Sequence, residues 1–253
     1  MWRGDYLYLI QNLVAKDFKI RYRNMSLGVL WSLLNPMVMM AVYYFVFTYI
    51  FHNGQPDFPV FLLCGLVPYN FFAIAWLTGT TSIVDNAPLV KRVPVPREVI
   101  PITTVLSCCV HLLMQIALLL TFAIGSKRGV TIYWLWLPAI WALEVVFVSG
   151  LALITSAVNV FIRDMRYVVE SANLVLIWLV PVFYPFSSID PKYRLIYELN
   201  PIAATVMSLR YIVYDGTAPV ASTLWNLFGV SFTVLFVGLL FFRRLKPKFY
   251  EHI

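Results

Sequence analysis

Six stretches of this 253-residue chain carry almost no charge, and short polar segments separate them. Each stretch exceeds the roughly 18 apolar residues that a helix needs to cross a hydrocarbon core of about 30 Å. We therefore predict an all-α integral membrane protein with six transmembrane helices. The predicted spans cover about 27–51, 58–84, 99–126, 131–162, 167–187 and 217–242.

Lys and Arg residues are concentrated in alternate polar segments and at the two ends. Only five of the 19 fall in the other segments, namely Lys127, Arg128, Lys192, Arg194 and Arg210. Because cytoplasmic loops are enriched in Lys and Arg, both termini are predicted to be cytoplasmic. The net charge of +7 then indicates contact with anionic membrane lipids rather than with nucleic acid. The basic run 243–248 is interpreted as an anchor.

The composition excludes a soluble domain, since 61% of residues are hydrophobic and 12% charged. No linker divides the chain, so 1–253 is predicted to be a single transmembrane domain. Its three cysteines lie within apolar stretches, which argues against a disulfide framework or a metal site. We expect neither a catalytic residue nor a metal ligand, and no cofactor bound by this chain.

Residues 4–23 are patterned differently from the spans. Tyr6, Ile10, Leu13, Val14 and Phe18 recur at helical spacing, which predicts an amphipathic helix lying on the membrane surface. Its basic end approaches the first span, where an anionic substrate headgroup would arrive.

A short helix is predicted at 85–93, between the second and third spans. Asp85 or Asn86 can cap it, Pro88 suits its first turn, and Pro94 and Pro96 end it. In an ATP-driven transporter such a helix can dock into an ATPase; taken alone, the segment also fits a proline-stiffened loop. The chain contains no phosphate-binding G-x-x-x-x-G-K-[ST] loop, so any ATPase must be a separate polypeptide.

The run RYRNMSLGVLWSLLNP at 21–36 resembles the entry signature of permease subunits of ATP-binding-cassette exporters for lipid-linked polysaccharides. These transport lipopolysaccharide O-antigen, capsule or teichoic acid. The resemblance rests on Arg21, Tyr22, Arg23, Leu27, Gly28, Trp31 and Pro36. Segments 85–101 and 163–185, and the pair Asn200-Pro201, are similar to further family patterns.

The resemblance implies a homodimer in the bacterial cytoplasmic (inner) membrane, bound to two copies of a soluble P-loop ATPase that uses ATP and Mg. It implies short re-entrant helices at 188–216. It places ATPase contacts at Asp85, Asn86, Pro88, Leu89, Val90, Lys91 and Arg92. It places the substrate headgroup near Arg21, Arg23, Gly28 and Trp31.

Aromatic residues, 17% of the chain, are frequent in the first and fifth spans, which line the conduit in the family. Flat rings can stack on the apolar faces of sugars, and tyrosine hydroxyls can hydrogen-bond without charge. The predicted conduit residues are Tyr43, Tyr44, Phe47, Phe51, Trp178, Phe183 and Tyr184. An interfacial aromatic belt is the alternative.

Glu144 is the only acid deep within a predicted span. A packing hydrogen bond to His111 or Gln115 in the third span is the preferred interpretation, and a proton relay is the alternative.

Two other functions remain open from the sequence. A drug or small-lipid exporter of the same superfamily would have a narrower, less aromatic conduit. A membrane-embedded glycosyltransferase or acyltransferase would need grouped acids or histidines, whereas His52, His111 and His252 are spread over different depths.

Overall fold

The computed structural model describes residues 5–23, 28–50, 56–92, 95–126 and 129–251. Within these ranges the chain is helical and contains no β-strand, which confirms the all-α prediction. The helices are α1 (Tyr6–Tyr22), α2 (Trp31–Phe45), α3 (Phe58–Asp85), α4 (Ala87–Arg92), α5 (Val99–Gly125), α6 (Leu137–Phe161), α7 (Met165–Leu179), α8 (Pro191–Leu199), α9 (Pro201–Leu209) and α10 (Ala221–Leu245).

Shorter helical turns adjoin several of these elements. Short segments of 3₁₀ helix lie at Gly28–Leu30, Ile132–Trp136, Phe186–Ser188 and Lys246–Glu251. π-helical turns extend α2 at Val46–Ile50 and α9 at Arg210–Tyr214.

Five helical stretches in the described ranges are long and apolar enough to cross a membrane. They are Leu33–Ile50, Phe58–Asp85, Val99–Gly125, Ile132–Phe161 and Ala221–Phe249. They coincide with the first four predicted spans and the last one. The protein is therefore a multi-pass membrane protein.

The predicted fifth span, 167–187, is not one long helix. α7 has 15 residues, a length of about 22 Å. The chain leaves helical geometry at Val180 (φ −94°, ψ 139°), because Pro181 disfavours helical geometry in the residue before it and has no N–H to donate. Helix length alone therefore does not decide whether the chain crosses the membrane six times.

α3 lies at the centre of the fold. In the most apolar 18-residue segment of α3, 72% of the residues are buried. The matching figure for Ala221–Phe249, which contains α10, is 17%. Leu62, Leu63 and Leu66 are fully buried and pack against residues of α5, α6 and α9. The surrounding helices thus form a frame around α3.

Small residues allow the central helices to approach closely. A Cβ built on Gly79 of α3 would lie 2.6 Å from the Cβ of Ala152 of α6. Nearby, the hydroxyls of Thr80 and Thr155 are 2.7 Å apart and hydrogen-bonded. Close backbone packing and interhelical hydrogen bonds stabilise helix pairs in a membrane, where burial of apolar surface contributes little.

α1 begins at Asp5, whose Oδ1 accepts hydrogen bonds from the N–H groups of Leu7 (2.8 Å) and Tyr8 (3.4 Å). On the predicted apolar face Leu13 is buried, while Tyr6 is 50% exposed. Asp17 accepts a 3.2 Å hydrogen bond from Thr104 of α5, so α1 is attached to the helical frame. Its location at a membrane surface stays a prediction.

Two short helices occupy the segment predicted to be re-entrant. Asp190 caps α8 by accepting from the N–H of Lys192 (2.9 Å), and Asn200 caps α9 by accepting from that of Ile202 (3.1 Å). α8 is largely exposed, whereas Ile202 to Leu209 in α9 are buried. That these helices enter the outer leaflet stays a prediction.

Candidate translocation and coupling sites

The segment proposed to contact an ATPase forms the six-residue helix α4. The carbonyl oxygen of Asn86 accepts hydrogen bonds of 3.0 Å from the N–H groups of both Leu89 and Val90. Asp85 is the last residue of α3, so it does not cap α4. Residue 93 lies outside the described ranges.

The contact residues predicted in and around α4 fall into two groups. Val90 is only 4% exposed and packs with Ile83, Phe242 and Phe249, and Leu89 lies against the same cluster. Asn86 accepts a hydrogen bond from Lys16 of α1. The outward surface consists of Asp85, Pro88, Lys91 and Arg92, which are all exposed.

The C-terminal segment interpreted as an anchor is part of this inner assembly. Lys246 forms a 2.7 Å ion pair with Glu98, and the carbonyl oxygen of Lys246 accepts a 2.9 Å hydrogen bond from Arg97. Both partners lie directly before α5. The end of α10 thus fixes the link between α4 and α5, a role the basic run in the sequence did not indicate.

The predicted headgroup entry site lies partly outside the described ranges. Arg21 belongs to the last turn of α1, and Arg23 just beyond it is exposed. Gly28 has a φ of +50° with open space where a side chain would be, a conformation that favours glycine. Trp31 at the start of α2 is 41% exposed. Residues 24–27 are not described.

A basic surface lies beside this entry region. Lys16, Lys19 and Arg23 line a shallow cavity of about 670 Å³ along α1. Phe18 and Tyr22 contact each other there, with ring centroids 4.9 Å apart. Basic side chains next to aromatic rings suit an anionic lipid headgroup, and the role of this surface stays a prediction.

Four of the predicted conduit residues form one aromatic cluster around Phe183. Its ring centroid lies 4.5 Å from that of Tyr43, 5.2 Å from that of Trp178 and 5.9 Å from that of Phe47. Phe183 is buried, whereas Trp178 is 60% exposed. We call these four residues the aromatic cluster.

The remaining predicted conduit residues lie apart from these rings. Tyr184 donates a 2.9 Å hydrogen bond to the carbonyl oxygen of Trp178 and lies 3.3 Å from the hydroxyl of Tyr197. Tyr44 instead contacts Tyr49, at 6.3 Å between centroids. Phe51 lies outside the described ranges. The conduit role of all seven stays a prediction.

Arg210 was not selected from the sequence, but it lies directly after α9 with only 6% of its surface exposed. It donates hydrogen bonds to the carbonyl oxygens of Val182 (2.7 Å) and Tyr184 (3.0 Å). Its guanidinium carbon lies 3.6 Å from the ring centroid of Phe61.

The packing hydrogen bond predicted for Glu144 is not present. Glu144 is 1% exposed, and neither carboxylate oxygen has a hydrogen-bond partner among the described residues. The Nε2 atom of Gln115 instead lies 2.8 Å from that of His111 on the same helix. The prediction failed because these two α5 side chains, one helical turn apart, bond each other rather than Glu144.

The comparison with known families agrees with this helical arrangement. The family model for ABC-2 type transporters matches residues 8–214, from the first turns of α1 to the end of the π-helical turn after α9. The chain belongs to the ABC-2 type transporter family.

Individual ABC-2 relatives are similar over almost the whole chain. The O-antigen export system permease protein RfbA of Klebsiella pneumoniae is 33% identical over 249 residues, which cover 98% of this chain and 94% of the relative. A Myxococcus xanthus protein of the same name is 31% identical over 253 residues, covering 98% and 96%. The polysialic acid transport protein KpsM of Escherichia coli is 27% identical over 237 residues, 92% of each chain. The family resemblance drawn from the motifs is confirmed.

Proposed function

We propose that this chain is the permease subunit of an exporter that moves a lipid-linked polysaccharide, of the O-antigen, capsule or teichoic-acid type, across the bacterial cytoplasmic membrane. The observation that carries the proposal is the similarity to O-antigen export permeases over 98% of the chain. Similarity of this extent includes both the cytoplasmic helix α4 and the aromatic cluster.

ATP hydrolysis in a separate subunit drives this export. Two copies of the permease bind two copies of a soluble P-loop ATPase, which holds the ATP and Mg. The sequence has no P-loop of its own. Val90 anchors α4 in the cluster that it forms with Ile83, Phe242 and Phe249. This leaves a short exposed surface on α4, which supports α4 as the docking element.

The substrate path follows from the charges and rings of the chain. The anionic headgroup enters beside Arg21 and Arg23, where Gly28 allows a close approach of backbone and ligand. Sugar rings then pass the aromatic cluster, whose flat faces stack on apolar C–H faces. Such contacts are weak and repeated, which suits a polymer that must slide.

Co-purification from native membranes tests the ATPase partner. Reversing the charges of Lys91 and Arg92 to Glu leaves Val90 in place and is expected to remove a P-loop ATPase that the wild type recovers. The matched control reverses Arg244 and Lys248, which are also exposed, and keeps the ATPase. Failure of the wild-type chain to recover any P-loop ATPase would contradict the proposal.

Polysaccharide localisation tests the substrate. Deleting the gene in its host is expected to move a long-chain polysaccharide from the cell surface to the cytoplasm, and the wild-type gene restores it. Unchanged surface polysaccharide, together with accumulation of a drug or a small lipid, would assign the chain to a different exporter class.

A further inference from the structure

The break after α7 leaves backbone carbonyls inside the protein. Val180, Val182 and Phe183 are at most 2% exposed, yet this stretch is not helical. Buried backbone N–H and C=O groups are almost always hydrogen-bonded, because an unpaired one costs free energy. The carbonyl groups of Val182 and Tyr184 therefore need donors from another part of the chain.

Arg210 supplies both donors from the end of α9. Two guanidinium nitrogens bond the two carbonyl oxygens at 2.7 and 3.0 Å, and the plane of the group lies over the ring of Phe61 on α3. A planar fork with several donors suits this task, whereas a lysine ammonium is a single point charge. One side chain thus joins α9, α3 and the broken end of α7.

Gly65, one helical turn after Phe61 in α3, lies against the same stretch. A Cβ built there would lie 3.0 Å from both the Cα and the carbonyl oxygen of Val182. Any larger residue would push Val182 away from α3. Two independent features, a buried cation and a glycine, therefore determine the position of one backbone segment.

The residue next to Val182 is Phe183, the centre of the aromatic cluster. Its ring contacts Tyr43 and Phe47 at the outer end of α2 and Trp178 on α7. We propose that Arg210 is a positioning residue for transport, which holds residues 180–184 so that Phe183 completes the aromatic cluster that the polysaccharide passes. This inference rests on the proposed function.

Three substitutions distinguish the effect of the planar guanidinium group of Arg210 from the effect of its positive charge. Arg210→Gln removes the cation and the fork. Arg210→Lys keeps the charge but lacks the planar fork of donors. Gly65→Ala leaves Arg210 intact and crowds the backbone of Val182 directly.

Arg194→Gln is the matched control. Arg194 lines the same outer cavity of about 550 Å³ as Arg210, but it donates to the carbonyl oxygen of Ile189 (3.1 Å). It also lies over an aromatic ring, 5.8 Å from the centroid of Phe186. The control therefore removes a similar cation without touching residues 180–184.

Hydrogen–deuterium exchange by mass spectrometry on the purified full chain measures the local effect. In Arg210→Gln and Gly65→Ala, the amides within residues 182–186 (Pro185 has none) are expected to exchange at least tenfold faster than in the wild type. Amides of residues 76–84 in α3 should not change. Surface polysaccharide, at equal amounts of membrane-inserted permease and with the ATPase still co-purifying, should fall at least tenfold in both variants. Arg210→Lys should lose more than half, and Arg194→Gln should match the wild type.

Several results would overturn the proposal. Wild-type exchange at 182–186 in Arg210→Gln would show that Arg210 does not hold the segment. Full export by Arg210→Lys would show that charge alone suffices. If the wild type exports no polysaccharide, the proposed function fails, while the exchange measurement still decides whether Arg210 positions the segment.

Discussion

Two glycines, Gly150 and Gly238, let the backbones of α6 and α10 touch. A Cβ built on Gly238 would lie 2.6 Å from the carbonyl oxygen of Gly150, and one on Gly150 would lie 2.6 Å from the nitrogen of Leu235. Because backbone atoms cannot move aside like a flexible side chain, Gly238→Ala must separate the helices. We expect it to destabilise the protein by about 1–3 kcal/mol, measured as a lower Tm in detergent.

Gly229→Ala, on the same helix, is the control for this substitution. No atom lies within 4 Å of a Cβ built at Gly229, so the change should raise stability by up to about 1 kcal/mol through helix propensity. Equal Tm values for Gly238→Ala and Gly229→Ala would mean that α6 and α10 do not pack this closely.

Glu144 is a second residue whose environment predicts a measurable effect. Its two carboxylate oxygens are buried without partners, and an unpartnered buried polar group costs about 1–3 kcal/mol. Glu144→Met is therefore expected to raise the Tm and to leave export intact.

The opposite outcome for Glu144 would be equally informative. If Glu144→Met and Glu144→Gln both insert into the membrane and recover the ATPase but export nothing, the carboxyl group takes part in transport. That result would favour the proton-relay interpretation.

Among the elements, the link between α4 and α5 depends on the end of α10. Burial alone would raise the pKa of Glu98, but the hydrogen bond from Lys246, with the charges of Lys246 and Arg243, outweighs burial and lowers the pKa below its usual 4.5. Since the folded state favours the ionised carboxylate, its stabilising effect is complete above about pH 4.5. The effect is lost as the pH falls through the lowered value.

The lowered pKa of Glu98 predicts how the stability of Glu98→Gln depends on pH. Both side chains are partly exposed, 34% for Lys246 and 21% for Glu98, so the loss at pH 7 should be under about 1 kcal/mol. The difference in Tm between wild type and variant should shrink below pH 4. A difference that does not change with pH would show that the ion pair does not contribute to stability.

The helical elements could be predicted from the sequence because apolar length and charge pattern are local. The contacts that position the sites could not. Arg210 was counted only as an outer charge, since Val182 and Tyr184 lie 28 and 26 positions away. Val90 was assigned to the docking surface, yet Phe249, far along the chain, covers it. Such burial depends on tertiary packing, which no local pattern contains.

At the scale of the whole molecule, contacts between distant segments show which helix ends share a membrane face. Lys16 of α1 bonds Asn86 before α4, and Lys246 after α10 bonds Glu98 before α5. These positions therefore lie on one side. If α2 and α3 each cross the membrane, they make two crossings between the first pair. α5, α6 and α10 would make three between the second pair, so the prediction of six crossings needs one more.

α7 and the residues after it can make that crossing. Val182, which follows α7, lies against Gly65 of α3. The stretch of α3 between Gly65 and Asp85 is about 30 Å long, the thickness of the hydrocarbon core. A sixth crossing, made by α7 together with its extended continuation, stays a prediction.

Cysteine labelling in spheroplasts tests six crossings. Tyr193 on α8 is 50% exposed, so Tyr193→Cys should react with a membrane-impermeant maleimide added to intact spheroplasts. Pro88→Cys and Lys248→Cys, at exposed positions, should react only after the membrane is opened. The unsubstituted chain, whose Cys64 and Cys108 are buried and Cys109 half-buried, sets the background. Labelling of Lys248→Cys but not of Pro88→Cys in intact spheroplasts would mean an odd number of crossings between these positions, and the contact between Lys246 and Glu98 could not then exist in the membrane.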